Sequence, residues 1–314
     1  MINTIKKYWG RYNSVIIVYL LLLVIFVGVS IAFPLFRSTR NLANILIQIA
    51  PLAIVSIGQT IALIGGGVDL TVGSMISLTT VLLANFMNQS NGAITFLSII
   101  LIFAIAVVVG LVNGFICNET KIPPLIVTLS TATILQGVTL AYRFAPGGAV
   151  PKIISGFINY KFGIFTVSAV IIVVLYALFI FIMSRTSFGV HVYAMGGNPE
   201  FARMAGVNVK RVRIITYIIS ACLAVVAGFV ISARTTTGIP TIGSSFQLDS
   251  LTAVIIGGAS FAGGMGFVAG TLAGAILVSV ISNVLNIASV STFYQYIATG
   301  GILLLAMIIN SRKK

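Results

Sequence analysis

The sequence predicts an all-α integral membrane protein with about ten transmembrane helices, some of them discontinuous, in one domain that covers residues 1–314. Composition is the first observation, because 59% of the residues are hydrophobic and only 7% are charged, against about 25% in soluble domains. Ten uncharged apolar stretches are the second, and an uneven distribution of Lys and Arg between them is the third. So few charged side chains cannot cover the surface of a soluble protein, so lipid must be the main solvent.

The ten apolar stretches define the predicted helices, since each is near the roughly 20 residues that cross a bilayer. The first seven occupy residues 14–33, 42–64, 71–87, 94–116, 123–142, 164–183 and 214–233. The uncharged stretch 250–311 has room for three more, with breaks near residues 263–266 and 288–291. The first stretch is longer than the core of a secretory signal and lacks its cleavage site, so we expect an uncleaved span.

The basic residues predict the orientation. Ten spans place both termini on one side, where the connecting segments carry twelve basic residues, against six on the other side. The twelve are Lys6, Lys7, Arg11, Lys121, Arg185, Arg203, Lys210, Arg211, Arg213, Arg312, Lys313 and Lys314. The six are Arg37, Arg40, Arg143, Lys152, Lys161 and Arg234. Because cytoplasmic segments are enriched in Lys and Arg, we expect both termini inside. We attribute the net charge of +14 to contact with anionic membrane lipid, and we expect no nucleic acid partner.

Two glycine-rich segments, residues 65–74 and 257–266, interrupt the apolar pattern in the two halves of the chain. Glycine-broken segments in corresponding halves are typical of transporters with two weakly related halves and a pathway near the breaks. Alternatively, the glycines only allow helices to pack closely. Both interpretations can hold together, and the sequence leaves them open.

The acidic residues are too few for most active mechanisms. They are Asp69, Glu119, Glu200 and Asp249. Only Asp69 can lie at depth in the membrane, and we favour its capping the helix that begins at Leu70 over its binding an ion. An ion-coupled carrier, a metal site and an acid–base enzyme are therefore disfavoured, and we expect no cofactor in this chain. It also lacks a G-x-x-x-x-G-K-[ST] phosphate loop, so any ATP hydrolysis is expected on another polypeptide.

The longest predicted inner segment, residues 184–213, contains a predicted short helix. Gly196–Gly197 is interpreted as a turn, Asn198 is a favourable N-cap, and the proline after it suits the first helical position. Glu200 lies in the first turn, where the helix dipole favours negative charge. Gly206 then provides a C-terminal stop.

Phe201 and Met204 lie three residues apart on one face of this predicted helix. A two-turn helix is not stable alone in water. One interpretation is that the two side chains enter a groove on a partner protein. The alternative is that they rest on the membrane surface as part of an interfacial helix.

The inner segment closely resembles the coupling loop of ribose/galactose-type ATP-binding cassette (ABC) importer permeases, through Thr186–Gly189 and Tyr193–Val207. Three further stretches are similar to motifs of that family and stand in the same order, namely Gly66–Ser74, Lys121–Leu129 and Leu248–Gly266. The chain departs from the family pattern at Gln247, where an acid is usual, and at Ala259, where threonine is usual.

The resemblance implies a permease subunit in the bacterial plasma membrane that forms a homodimer around a central pathway. It further implies a separate double-cassette ATPase that binds ATP-Mg on the inner face, and an extracytoplasmic sugar-binding protein on the outer face. Ribose is the first choice of substrate, because Phe293–Tyr296 is most similar to ribose-type members. The residues carried over as ATPase-coupling are Gly196, Gly197, Asn198, Glu200, Phe201, Arg203, Met204 and Gly206. Arg143, Arg234 and Asp249 are candidates for docking the binding protein.

Polar residues in otherwise apolar segments are the candidates for the pathway, since sugars are neutral and rich in hydroxyl groups. They are Asp69, Ser74, Thr128, Ser130, Thr131, Thr133, Gln136 and Ser260. The alternative for the hydroxyl-bearing residues is that each bonds a carbonyl of its own helix. Two rival functions also remain: a self-sufficient secondary carrier or facilitator, and a structural subunit with no pathway.

Overall fold

The computed structural model describes residues 2–86, 92–163 and 165–311, and within them the chain forms thirteen helices and one short hairpin. The helices are α1 (Ile2–Ala32), α2 (Thr39–Ile64), α3 (Thr71–Phe86), α4 (Gly92–Glu119), α5 (Pro124–Tyr142), α6 (Lys152–Ile158), α7 (Val167–Arg185), α8 (Ser187–Gly197), α9 (Pro199–Met204), α10 (Val209–Thr235), α11 (Ser244–Ile256), α12 (Val268–Ile287) and α13 (Thr292–Ser311). The hairpin pairs β1 (Lys161–Phe162) with β2 (Phe165–Thr166).

Each of the ten predicted apolar segments contains a helix, and the chain is a multi-pass membrane protein. Seven of the described helices are long and apolar enough to cross a membrane, namely α1, α2, α4, α5, α7, α10 and α12. The helices α3 and α11 have only 16 and 13 residues, and the apolar part of α13 is also short. The number of ten crossings therefore stays a prediction, as does the orientation. The predicted inner residues Arg312, Lys313 and Lys314 lie outside the described residues.

Helices α2 and α10 form the centre of the bundle. Their contact is close because small residues line it: a Cβ on Gly58 would lie 2.7 Å from the Cα of Ser220. On its other side α10 approaches α4 equally closely, where a Cβ on Gly110 would lie 2.5 Å from the Cα of Ile218. Close approach at small residues is how transmembrane helices gain packing energy when lipid removes the hydrophobic driving force. Helices α1, α4, α5 and α7 lie outside this centre and expose large apolar side chains, as lipid-facing helices do.

The segment between α10 and α11 turns back along α3. Gly238 packs against Ala84 near the end of α3, whereas Gly243 packs against Gly73 near its start. Ala84 and Gly73 are about 16 Å apart along the axis of α3. The polar backbone of this irregular segment is bonded by side chains, since Gly243 N–H donates to Ser77 Oγ at 3.0 Å. Irregular backbone at membrane depth requires such partners. Helix α11 begins at Ser244, so Asp249 lies within a helix and not in the connection after α10.

Candidate functional site

The short helix predicted in the inner segment is present as α9, and both of its predicted caps are confirmed. Asn198 Oδ1 accepts hydrogen bonds from the backbone N–H groups of Glu200 and Phe201, at 2.9 and 3.1 Å. At the other end Gly206 has a φ of 83°. Its N–H and that of the next residue bond back to the carbonyls of Arg203 and Ala202. These two backbone hydrogen bonds form a Schellman motif, in which glycine takes the left-handed position without a steric penalty.

Helix α9 turns its apolar pair outward. Phe201 is 69% exposed and Met204 84% exposed, whereas Ala202 between them is buried against the protein. Glu200 and Arg203 are exposed as well. The coupling candidates on α9 therefore form one accessible surface. Large apolar side chains on a surface of this kind indicate a contact with another protein or with a membrane.

The N-cap of α9 gives a first testable prediction. We expect Asn198→Ala to destabilise α9 by about 1 kcal/mol, because two backbone N–H groups lose their acceptor. Asn198→Asp should keep the cap, since a carboxylate accepts the same bonds. Hydrogen–deuterium exchange of peptides covering residues 199–206 is the measurement. Equal exchange in the two variants would contradict the capping role.

The sequence interpretation missed α8. Ser187–Gly197 was treated as part of a loop, but it forms an 11-residue helix in which Val192 and Met195 are buried. Gly196–Gly197, interpreted as a turn, forms the last residues of this helix instead. Asn198 alone separates α8 from α9: its own N–H bonds back to Ala194 in α8 while its side chain caps α9.

The end of α8 contacts both glycine-rich breaks. A Cβ on Gly196 would lie 1.7 Å from the carbonyl oxygen of Ile64, the last residue of α2. That same oxygen accepts a hydrogen bond from the N–H of Gly264 at 2.8 Å. A Cβ on Gly263 would lie 2.7 Å from Gly196 O and 2.9 Å from the Cα of Gly66. We call these four glycines, Gly66, Gly196, Gly263 and Gly264, the glycine junction. Close packing of glycines is thus confirmed, and a pathway near the breaks stays a prediction.

Asp69 lies within the first break, just before α3, and is fully buried. Its Oδ1 accepts a hydrogen bond from the backbone N–H of Thr71 at 2.9 Å and a second from the Thr71 hydroxyl. The predicted capping arrangement is therefore present, on a helix that begins at Thr71. Asn113 donates to the same hydroxyl at 3.4 Å and ties α4 to this point.

The ends of α4 and α10 lie beside α9. An open groove of about 470 Å³ lies between these helix ends and α9, and it is lined by Cys117, Asn118, Thr120, Gly197–Glu200, Arg203 and Arg213. Arg213 Nη1 donates to Cys117 O at 2.8 Å, and Lys210 forms an ion pair with Glu119. These basic residues, all predicted to be inner, are thus grouped at one end of the bundle.

The pathway candidates bond another segment of the chain, their own helix or, for Thr128, both, since its hydroxyl also lies 3.0 Å from Pro124 O of α5. Three of them bond the backbone of another segment: Thr128 donates to Val68 O at 3.0 Å, Ser74 to Ala132 O at 2.8 Å and Gln136 to Pro240 O at 2.9 Å. Another three bond carbonyls of their own helix α5, as the alternative predicted, and they are Ser130, Thr131 and Thr133. The last hydroxyl, on Ser260, accepts from Ala262 N–H inside the second break. A role in the pathway stays a prediction for all of them.

The docking candidates are not brought together as a set. Arg143 directly follows α5, and Arg234 lies in the last turn of α10. The segments that follow these two helices are joined by a backbone bridge between Gly147 and Gly238. Arg143 Nη2 donates to Asn85 Oδ1 at 3.3 Å, and Arg234 is exposed. Asp249 instead lies half-buried within α11, after the chain has turned back along α3. The two arginines therefore share one end of the bundle, and Asp249 is separated from them.

Comparison with known proteins gives one family and several close relatives. The family model described as branched-chain amino acid transport system / permease component matches residues 41–308. The chain is 33% identical to the ribose import permease protein RbsC of Bacillus subtilis, over 93% of this chain and 91% of that protein. It is 33% identical to RbsC of Escherichia coli K12 over 93% and 92%. It is also 32% identical to the galactose/methyl galactoside import permease protein MglC of Salmonella typhimurium, over 94% of each. No solved structure matches this chain.

Proposed function

The chain belongs to the family of branched-chain amino acid transport system permease components, among ribose/galactose-type members, and we propose that it is the membrane-spanning subunit of an ABC importer for a monosaccharide. A transport subunit of this kind hydrolyses no ATP itself. The ATPase that drives it binds ATP-Mg on the inner face. The protein resides in the bacterial plasma membrane, with ten spans and both termini inside.

The observation that carries the proposal is the exposed face of α9. Phe201 and Met204 project from a helix that its own caps hold in place. A helix with an i, i+3 apolar pair is suited to a groove on a partner. The partner is the double-cassette ATPase, because the chain has no phosphate loop of its own and hydrolysis must take place on another subunit.

The sugar assignment rests on the relatives and on the chemistry of the interior. The named relatives import ribose and galactosides, whereas the family description names branched-chain amino acids. A zwitterionic amino acid in a membrane requires charged partners, and the described spans offer few. Ribose is therefore the first candidate, ahead of other monosaccharides.

The pathway lies between two copies of the chain. Ser130 and Thr133 are exposed on α5 among apolar residues that face lipid in a single copy. Facing a second copy, their hydroxyl oxygens line a weakly polar path that suits a neutral solute. Arg143 and Arg234 then belong to the outer surface, where the sugar-binding protein docks.

Reconstitution in liposomes tests the function. The chain is purified alone and together with the proposed ATPase and sugar-binding protein, and uptake of radiolabelled ribose is measured with ATP or ADP at the ATPase side. We expect uptake only by the complete assembly with ATP. Uptake by the chain alone would identify a self-sufficient carrier instead. Competition by unlabelled galactose and leucine distinguishes a sugar pathway from an amino acid pathway.

A further inference from the structure

Helix α8 connects the exposed surface of α9 to the two glycine breaks. Because Asn198 is the only residue between α8 and α9 and is bonded to both, a displacement of α9 carries α8 with it. Val192 and Met195 bury one side of α8 in the protein core. The helix therefore connects the predicted ATPase contact to the protein core through one buried side.

One face of α8 reaches both breaks. Tyr193 and Gly196 are three residues apart, so they lie on the same face of the helix, one turn from each other. Gly196 packs on Ile64 O, at the first break. The Tyr193 hydroxyl donates a hydrogen bond to Gly266 O at 2.7 Å, at the end of the second break.

The bond from Tyr193 lies at the end of the second break, where it joins α8 to the residue that precedes the start of α12 by two positions. Gly263, Gly264 and Gly266 all have positive φ angles, so no regular helix continues through them. Helix α12 begins two residues after Gly266, without a side-chain cap bond at its N-terminus. The position of Gly266 therefore sets the start of α12, which packs on α2 through the hydrogen bond between Thr60 and Thr271.

Resting on the proposed function, we propose that Tyr193 is a positioning residue: its hydroxyl bond to Gly266 O transmits the ATP-driven displacement of α9 to the second glycine break and to α12. A purely structural hydrogen bond would contribute to stability alone. A transmitting bond determines whether the second break moves when the ATPase binds ATP.

The test uses the assembled complex and a reporter on the second break. Met265 is 63% exposed, so Met265→Cys provides a thiol whose maleimide labelling rate reports movement there. The background of the natural cysteines is measured in the chain without this substitution. We expect ATP with vanadate to change the labelling rate in the parent complex. Tyr193→Phe should reduce that change by about fivefold, the effect of losing one hydrogen bond, while ATPase binding is retained.

Tyr176→Phe is the matched control. The Tyr176 hydroxyl also donates to a backbone carbonyl in the core, Ala53 O at 3.0 Å, but α7 and the middle of α2 are away from the junction. We expect the ATP-dependent change to persist in this variant, even if its melting temperature falls as far as that of Tyr193→Phe.

The outcomes separate this inference from the proposed function. Failure of the parent chain to bind the ATPase would overturn both. A parent complex that binds ATPase but shows no ATP-dependent change at residue 265 overturns the inference alone. So does a change that persists in Tyr193→Phe, or one that is lost equally in Tyr176→Phe.

Discussion

Replacing Phe201 and Met204 together by alanine is expected to abolish co-purification of the ATPase while the chain remains inserted in the membrane. Both side chains are largely exposed, so the substitution removes little packing within the chain. As anchors in a groove, such residues contribute about 2 kcal/mol or more each to binding. Loss of both therefore weakens binding by about 1000-fold. The measurement is pull-down of tagged permease from detergent-solubilised membranes, with immunodetection of the ATPase.

The matched control is a second exposed apolar pair with the same spacing. Leu178 and Phe181 on α7 are 47% and 59% exposed, and they lie within an apolar candidate span. We expect Leu178→Ala with Phe181→Ala to leave ATPase binding unchanged. Retention of the ATPase by the α9 double variant would favour the alternative, in which Phe201 and Met204 rest on the membrane surface.

Gly196→Ala is expected to have the largest effect of any single methyl group added to this chain. The new Cβ would lie 1.7 Å from Ile64 O and 2.7 Å from Gly264 N, and both are backbone atoms. The side chain cannot rotate away from either, so the glycine junction must open. Overpacking of this kind costs about 3 kcal/mol or more. We therefore expect less folded protein, and we expect the protein that does fold to lose transport.

Gly197→Ala is the control at the adjacent position. A Cβ there meets no atom of the described residues within 4 Å beyond its chain neighbours. Thermal unfolding in detergent should therefore show a clearly lower midpoint for Gly196→Ala and a midpoint near that of the parent for Gly197→Ala. Similar midpoints for the two variants would show that the junction is not closely packed.

The parts of the structure that local chemistry determines were predictable from the sequence. The apolar segments predicted helices because lipid leaves the backbone no other way to satisfy its polar groups. The caps of α9 were predictable because Asn198 and Gly206 act on residues within three or four positions of themselves. The same reasoning placed Asp69 at the start of α3.

Helix α8 escaped prediction because tertiary contacts stabilise it. Its sequence contains three glycines, at positions 189, 196 and 197, and glycine disfavours an isolated helix. Burial of Val192 and Met195 in the core compensates for this, and no local pattern reveals that. Tyr193 belonged to the resemblance motif, yet a role for it required knowing that it shares a helical face with Gly196.

The hydrogen-bond partners of the polar residues in α5 could not be predicted from the sequence either. Thr128 and Gln136 bond carbonyls that are 60 and 104 positions away in the chain. From the sequence alone, a hydroxyl or amide in an apolar segment can equally well line a solute pathway or bond the backbone carbonyls of an interrupted helix. Only the fold identifies Val68 and Pro240 as the acceptors.

The joint at Asn198 also determines what changes the inner segment tolerates during evolution. One residue ends α8 and starts α9, so the two helices have a fixed rotational relation. An insertion after Asn198 would turn α9 by about 100° about its axis and direct Phe201 away from its present side. On the proposed function, we expect related chains to vary the side chains on this surface with their partner but to keep the number of residues between Tyr193 and Phe201.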